Sequence, residues 1–396
     1  MTGEFDLIER YFASAAAPAA DVVLGLRPQG RDEYEGRGDD CALVRPPAAN
    51  ELLANSTDTL VEGVHFLADI CPEDLAWRLV AASVSDLAAM GARPLWLSLA
   101  ITLPNGDEQW LASFNRGLVA ALNRYEITLI GGDTTSGPVR VLTAHVQGAV
   151  EQHNALLRSG ARAGDLIYVS GTLGDSRAGL ELLRSGRAAE SDFLTERFLR
   201  PSARVELGRK LGGIATAAID ISDGLLADLG HLLKASELGA RIELTRLPLS
   251  DALQVGWGRD QALEWAATGG EDFELCFTLP PHQQAVIAAL ALELDLPLTC
   301  IGQAQPEPGL EIEFDGVAWQ GSAARGFDHF SGSGLTQPSN EQFAESSYAA
   351  PHTDSSAPPS EHSSKNTSKS PSKSPAERSK QLSAPLSDGA VDQLES

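Results

Sequence analysis

The sequence is poor in cysteine and in the motifs that mark many common enzyme classes. It has four cysteines in 396 residues, and no pair has C-x-x-C or zinc-site spacing, so we expect reduced thiols in a cytoplasmic protein. It also lacks a G-x-x-x-x-G-K-[ST] loop, the H-R-D and D-F-G segments of protein kinases, a G-x-S-x-G elbow and a strand followed by G-x-G-x-x-G. These absences argue against P-loop NTPases, protein kinases, α/β-hydrolases and Rossmann dehydrogenases.

Basic residues and long apolar runs are scarce as well. There are 30 Lys and Arg against 54 Asp and Glu, a formal net charge of −24. A nucleic-acid partner is not expected, because phosphate backbones are bound by Lys and Arg surfaces. No apolar run is long enough to span a bilayer, and the acidic N-terminus does not resemble a signal peptide, so we expect no membrane partner.

What the sequence does contain is a set of acidic residues in segments rich in Gly, Ser or Thr. The segments are Gly38-Asp39-Asp40, Ser56-Thr57-Asp58-Thr59, Gly131-Gly132-Asp133-Thr134-Thr135 and Asp220-Ile221-Ser222-Asp223-Gly224. We interpret them as tight turns. Hard cations such as Mg²⁺ prefer oxygen ligands of this kind. If the fold brings these segments together, they would form a site for metal ions and phosphate.

Asp86 gives the most direct argument of this set. On a helix over residues 74–90, Asp86 projects between Leu75 and Leu79, at one edge of the apolar stripe. Arg78 points away on the same projection. A buried, unpaired carboxylate is costly and needs a cation or strong donors. A helix-edge residue that reaches solvent is the alternative.

The other segments allow simpler interpretations when each is taken alone. Asp223 before Gly224 could be a helix N-cap, whereas capping cannot explain Asp220 at the end of an apolar run. Gly131-Gly132-Asp133 could be an ordinary hairpin turn. His65 could be a histidine without a special role.

Apolar periodicity predicts an α/β protein with mixed rather than purely parallel sheets. Strand-like and helical runs alternate and restart near residue 150, which predicts domains over 1–150 and 151–330. The segment 331–396 is rich in Ser and Pro, and we expect it to be disordered because it cannot bury enough apolar surface.

Together, these segments resemble the thiamine-monophosphate kinase family, which belongs to the aminoimidazole ribonucleotide synthetase-like superfamily. The resemblance runs in order from about residue 3 to residue 330. It is carried by Gly3-Glu4-Phe5-x-Leu7-Ile8, Gly38-Asp39-Asp40-Cys41-Ala42, Ser56-Thr57-Asp58-Thr59-Leu60-Val61-x-Gly63-x-His65-Phe66, Ser85-Asp86-Leu87-Ala88-Ala89-Met90-Gly91-Ala92, Ile130-Gly131-Gly132-Asp133-Thr134-Thr135, Ile219-Asp220-Ile221-Ser222-Asp223-Gly224-Leu225 and Gly269-Gly270-Glu271-Asp272-Phe273-Glu274-Leu275.

The resemblance implies the two-domain fold of that superfamily and a cytoplasmic phosphotransferase of thiamine diphosphate biosynthesis. ATP would phosphorylate thiamine monophosphate by direct in-line transfer, assisted by several Mg²⁺ ions, in a homodimer. The implied metal ligands are Asp40, Ser56, Thr57, Asp58, Asp86, Asp133, Asp220 and Asp223. The implied nucleotide contacts are Gly132, Asp133, Arg158 and Ser222. The implied substrate contacts are His65, Glu271 and Phe327. Among these residues, Asp133, Asp220 and Asp223 are the predicted catalytic residues.

Two segments depart from the family pattern. Residues 26–37 expand the connection before Gly38, either as a flap over the site or as a neutral insertion, and the tail is given no catalytic role. Another ATP-dependent synthetase of the superfamily and a non-catalytic nucleotide-binding regulator are the alternative functions.

Overall fold

Two large mixed sheets and the helices between them form the part of the chain that this computed structural model describes, residues 10–12, 22–23 and 41–319. All of these residues belong to one compact unit, Met1–Glu341. The segment 26–37 and the tail 331–396 lie outside the described residues, so what we expect of them stays a prediction.

Strands and helices both occur throughout the described part of the chain. The strands are β1 (Val22–Val23), β2 (Leu43–Val44), β3 (Glu51–Val61), β4 (Arg93–Leu103), β5 (Thr128–Ser136), β6 (Val141–Glu151), β7 (Leu166–Ser170), β8 (Ala217–Asp220), β9 (Gly239–Glu243), β10 (Leu275–Leu279), β11 (Leu298–Gln305), β12 (Gly309–Phe314) and β13 (Val317–Ala318). The helices are α1 (Pro72–Ala89), α2 (Glu108–Arg124), α3 (Asp175–Arg184), α4 (Asp192–Leu199), α5 (Val205–Leu211), α6 (Leu225–Ser236), α7 (Asp251–Trp257), α8 (Arg259–Thr268) and α9 (Gln284–Glu293).

The first sheet has the strand order β3-β6-β4-β5. Strands β3 and β6 pair antiparallel from Glu51 opposite Glu151 to Val61 opposite Val141, and β5 is an edge strand parallel to β4. Side chains alternate between the two faces of a strand. One face joins helices α1 and α2 in a shared apolar core, whereas Thr57, Thr59 and Ala100 are exposed on the other face.

The second sheet has seven strands in the order β13-β12-β9-β11-β7-β10-β8. All of its neighbouring strands are antiparallel except β9 and β12. Strand β8 lies at one edge, so its last residue, Asp220, marks a rim of this sheet. Helix α6 packs its leucines into the core of this half.

Helix α1 connects the two halves. The Trp77 indole N–H donates to the carbonyl of Pro201 at 2.9 Å, and Arg200 forms ion pairs with Glu73 and Asp74. Ala88 and Ala89 at the end of the helix pack in a core with residues of the second sheet. Residues of α1 can therefore contact both sheets.

The mixed sheets confirm the predicted fold class. The predicted turns at Ser56-Thr57-Asp58-Thr59 and Gly131-Gly132-Asp133 are wrong, because both segments lie inside strands, β3 and β5. Long pairing with β6 and β4 outweighed the local preference of Gly and Asp for turns. The division near residue 150 stays a prediction; the first sheet ends at Glu151 and the second begins at Leu166. No helix of the described residues is long and apolar enough to cross a membrane.

Candidate active site

Asp86 lies in the last turn of α1 and faces strand β3. The hydroxyl of Ser56 donates to its carboxylate. Burial raises the pKa of Asp86, while the Ser56 hydrogen bond and the nearby positive charge of Arg158 oppose that rise. The structure therefore supports the first interpretation of Asp86, a partly buried carboxylate with donors around it.

Asp58 follows Ser56 by two residues on β3, so the two side chains lie on the same face of the sheet. Burial and, to a smaller extent, the charge of Asp86 raise the pKa of Asp58 to about 6, while a hydrogen bond with Ser83 of α1 opposes that rise. Alternation on the strand and the packing of α1 thus bring two carboxylates within range of each other.

Asp220 adds a third carboxylate from the second sheet. It is buried at the end of β8, and the hydroxyl of Ser85 donates to it at 2.7 Å. Burial, together with the charges of Asp86, Asp228 and Asp58, raises the pKa of Asp220 to about 7, while the Ser85 hydrogen bond opposes that rise. Adjacent Ser85 and Asp86 on α1 therefore connect the two sheets at this point.

A pocket of about 330 Å³ opens where these residues meet. Its polar lining comes from Asn55, Ser56, Asp86, Arg158 and Asp220. It combines hard oxygen donors with one flexible cation. That composition suits a phosphate ester accompanied by divalent cations.

The donor set fits Mg²⁺ in its chemistry. The charge of Asp86 raises the pKa values of both Asp58 and Asp220, and a bound cation would relieve this repulsion. Among the described residues, no three His, Cys, Asp or Glu side chains already converge as a finished metal centre. The residues that would hold ions here are Ser56, Asp58, Asp86 and Asp220.

The loop after β8 is organised by a residue that the sequence analysis missed. The backbone N–H groups of Ser222, Asp223 and Gly224 all donate to one carboxylate oxygen of Asp228, at 3.0, 3.0 and 3.1 Å. Helix α6 has Gly224 as its N-cap, with no side-chain cap. The capping alternative for Asp223 is therefore wrong. An Asp in the first turn, shortly after Asp-Gly, was the signal available in the sequence.

The first sheet places other candidates away from this pocket. Thr57 lies on the exposed face of β3, where its hydroxyl is 2.8 Å from Nδ1 of His145. Asp133 pairs with Ala100 on β4, in register with Thr143 and Thr59, so it shares that exposed face. The structure does not bring the side chains of Thr57 and Asp133 to the Asp86 carboxylate.

Gly132 precedes Asp133 on the same edge strand. A Cβ atom there would lie 1.8 Å from the carbonyl oxygen of Leu99 on β4. Glycine is thus required for the close pairing of β5 with β4. This packing requirement stands beside the nucleotide contact that we expect of Gly132.

Comparison with known proteins gives the family. Sequence models of the AIR synthase related protein N-terminal and C-terminal domains match residues 38–150 and 162–315. Thiamine-monophosphate kinase of Haemophilus influenzae is 48% identical over 334 residues, with 83% of this chain and 98% of that protein covered. The enzyme of Escherichia coli K12 is 49% identical over 337 residues, with the same coverage.

The chain belongs to the thiamine-monophosphate kinase family.

Solved structures agree with this assignment. Thiamine-monophosphate kinase from Stenotrophomonas maltophilia superposes with a TM-score of 0.71 at 43% identity, covering 80% of this chain and 98% of that one. A structure described as AaThiL complexed with AMPPCP and TMP gives a TM-score of 0.64 at 34% identity, covering 75% and 93%. The protein is therefore an enzyme, a kinase of the thiamine-monophosphate kinase family, and the family resemblance seen in the sequence is confirmed.

Two of the substrate contacts expected from this kinase family are among the described residues. Glu271 lies in the loop before β10, where its backbone N–H donates to the carbonyl of Ser222 at 2.8 Å. Its carboxylate is 2.5 Å from a guanidinium nitrogen of Arg78, which is buried. The ring of His65 accepts the backbone N–H of Val61 at 3.0 Å.

Arg78 was overlooked in the sequence analysis because only its direction relative to Asp86 was considered. The Glu271 loop adjoins the Ser222 loop through backbone hydrogen bonds. Asp40 and Phe327, the remaining members of the expected set, lie outside the described residues.

Proposed function

We propose that this enzyme transfers the γ-phosphoryl group of ATP to the phosphate of thiamine monophosphate, forming thiamine diphosphate and ADP. The observation that carries the proposal is the pocket in which Ser56, Asp86 and Asp220 meet Arg158 in a chain of this family. The relative AaThiL is described as complexed with AMPPCP and TMP. We take these ligands as an ATP analogue and thiamine monophosphate.

Several Mg²⁺ ions are part of the proposal. When bound, they would screen the repulsion between two anionic substrates and neutralise charge in the transition state. Asp58, Asp86 and Asp220 are the described carboxylates best placed to hold them, with Ser56 beside them. Asp133, Thr57, Asp223 and Asp40 stay predicted ligands.

Arg158 and the Ser222 loop would hold the nucleotide. Arg158 is exposed at the mouth of the pocket and its charge reaches Asp86. The N–H groups of residues 222–224 are already held by Asp228. We therefore assign nucleotide contacts in this loop to the Ser222 side chain rather than to these amides.

We propose direct in-line transfer without a phosphorylated enzyme. Phosphoryl transfer needs positioning and electrostatic stabilisation more than a covalent nucleophile. The one hydroxyl in the pocket lining, on Ser56, donates to Asp86. Transfer from chirally labelled γ-phosphate should invert configuration at phosphorus; retention would show an intermediate phosphoenzyme.

The activity is tested by ADP release in a coupled assay with thiamine monophosphate, free thiamine and aminoimidazole ribonucleotide precursors as separate acceptors. We expect turnover with thiamine monophosphate and with neither of the other acceptors. Turnover with an aminoimidazole precursor would instead indicate a synthetase of the superfamily. No turnover with any acceptor would indicate a non-catalytic binding protein.

We also propose a homodimer formed through the open face of the first sheet. Leu53 is 41% exposed on β3, and Thr57 and Thr59 follow it on the same face. A second copy would cover this face and the adjacent Asp133. Light scattering should give twice the chain mass of 41.8 kDa; a single chain mass at micromolar concentration would contradict the dimer.

A further inference from the structure

We propose that Arg78 is a positioning residue that fixes the Glu271 carboxylate, and with it the loop of residues 270–273, for the thiamine substrate. The inference rests on the proposed function, because Glu271 is a substrate contact only in that function. It assigns a role to a residue that is neither part of the phosphate pocket lining nor one of the substrate contacts named so far.

Arg78 has an unusual environment for a cation. It is 1% exposed on helix α1. One guanidinium nitrogen donates to the carbonyl of Phe198, and the guanidinium carbon lies 4.0 Å from the centre of the Phe198 ring. A second nitrogen is 2.5 Å from Glu271. This second contact is ionic and not a well-directed hydrogen bond, and Nε also lacks a hydrogen-bond partner among the described residues.

An arrangement of this kind is a poor way to stabilise a fold. A buried guanidinium with incompletely satisfied nitrogens is costly, and an apolar side chain of similar volume often serves stability equally well or better. Neighbouring side chains of α1 show that apolar packing is available here, since Leu75 and Leu79 are fully buried. What the guanidinium provides and a leucine cannot is a fixed positive charge against one carboxylate.

The loop that receives this charge is under conformational constraint. Glu271 and Phe273 have φ values of 68° and 51°, in the left-handed region that side chains disfavour. Between them, buried Asp272 accepts the N–H groups of Gly174 and Ser176 at the start of α3. The backbone N–H of Phe273 donates to the carbonyl of Ile221 at 2.9 Å.

These contacts place Glu271 between the interior and the solvent. Its side chain is 32% exposed, whereas Arg78 is enclosed. One side of the carboxylate is held by a buried cation, and the remainder is accessible to a ligand. Thiamine carries a cationic thiazolium and an amino group, and both chemistries are complementary to an oriented carboxylate.

The alternative is that Arg78 only joins the two halves of the molecule. Arg200 offers a matched control, because it contacts the same helix through Glu73 and Asp74 without touching Glu271 in any described contact. An effect on the substrate that follows from loosened packing should appear in both arginine variants. An effect that follows from Glu271 should appear only at Arg78.

The test compares Arg78→Met, Arg78→Lys, Arg200→Met, Glu271→Gln and the double variant Arg78→Met/Glu271→Gln by steady-state kinetics. We expect Arg78→Met to raise KM for thiamine monophosphate about tenfold, with KM for ATP within about twofold. Lysine should recover part of the loss. Arg200→Met should leave both KM values within about twofold. The double variant should be no worse than Glu271→Gln, because Arg78 acts through Glu271.

A second readout does not depend on the substrate. Hydrogen exchange at the amides of Glu271 and Phe273 should accelerate about tenfold or more in Arg78→Met and stay at the wild-type rate in Arg200→Met. If the wild-type enzyme does not phosphorylate thiamine monophosphate, the proposed function fails, and exchange alone then decides whether Arg78 positions the loop.

The inference is overturned if Arg78→Met has wild-type KM values and wild-type exchange. It is also overturned if Arg78→Met and Arg200→Met raise both KM values alike. If Arg78→Met does not fold, Arg78→Lys takes its place in the comparison, because lysine keeps the positive charge but lacks the planar guanidinium. It should then raise KM for thiamine monophosphate about threefold or more and accelerate exchange at Glu271, and wild-type values would overturn the inference.

Discussion

The carboxylates of Asp58, Asp86 and Asp220 lie where their surroundings oppose ionisation. Each carboxylate is at least partly buried, which raises its pKa, and the charge of Asp86 further disfavours ionisation of Asp58 and Asp220. Serine hydroxyls relieve part of this cost at Asp86 and Asp220. The arrangement is expensive for folding alone, and such conflicts are typical of residues kept for function.

Replacing Asp220 by Asn should separate function from stability. We expect at least a hundredfold loss of kcat with the fold retained, because a charged ligand of the metal and phosphate site is lost. The folded state raises the pKa of Asp220 to about 7. Its contribution to stability is therefore complete below the unfolded pKa and is lost as pH rises through about 7. The Asn variant is neutral at every pH. The difference between its melting temperature and that of the wild type should therefore shift in favour of the variant between pH 6 and pH 8.

Asp69→Asn is the control for that experiment, since Asp69 is an exposed carboxylate. It should change neither rate nor the pH dependence of melting. Wild-type turnover in Asp220→Asn would remove Asp220 from the site.

Magnesium binding should strengthen as the pH rises, because the metal ions compete with protons for the same carboxylates. The metal-free protein holds protons on Asp58 up to about pH 6 and on Asp220 up to about pH 7. Cations must displace those protons, so added Mg²⁺ should raise the melting temperature more at pH 8 than at pH 6. Thermal melts without nucleotide measure this directly. Equal shifts at both pH values, or an undiminished shift in Asp86→Asn, would contradict binding at these carboxylates.

At the scale of elements, apolar periodicity is sufficient to predict a helix whose apolar face packs against the core. The helix predicted over residues 74–90 forms as α1, Pro72–Ala89, because its apolar side chains pack into the core of the first sheet. The candidate site was less predictable. Asp58 and Asp86 meet because β3 packs on α1, and the place of Thr57 and Asp133 follows from sheet register, which short segments do not specify. Arg78 and Asp228 have partners that only the tertiary structure reveals.

Asp228 should control the loop that follows β8. Asp228→Ala would leave the N–H groups of Ser222, Asp223 and Gly224 without their acceptor in a partly buried loop. We expect a loss of about 2–4 kcal/mol in the free energy of unfolding and at least tenfold weaker ATP binding. Denaturant titration and nucleotide titration measure the two effects. Asp260→Ala is the control, because it removes an exposed acidic residue from the first turn of α8. It should change neither the free energy of unfolding nor the ATP affinity. Normal ATP affinity in Asp228→Ala would show that the loop keeps its shape without Asp228.

At the scale of the whole molecule, helix α1 makes the two sheets depend on each other. Its early residues pack in the core of the first sheet and its last alanines in a core of the second. The Asp220 carboxylate of one sheet meets Asp86 and Asp58 of the other half only while this helix holds its place. We therefore expect the residues described here to unfold as a single cooperative unit.

The contact between α1 and α5 gives a test of that cooperativity. A Cβ atom on Gly208 would lie 1.9 Å from the carbonyl oxygen of Ala88, so Gly208→Ala should force the helices apart. We expect a melting temperature lower by about 5 °C or more and two resolved calorimetric transitions in place of one. Gly230→Ala is the matched control, because a Cβ atom there meets nothing within 4 Å in the middle of α6; it should be neutral or stabilising. A single transition in Gly208→Ala at the wild-type temperature would show that the sheets do not depend on this contact, and the Asp220 carboxylate would then need another element to hold it beside Asp86.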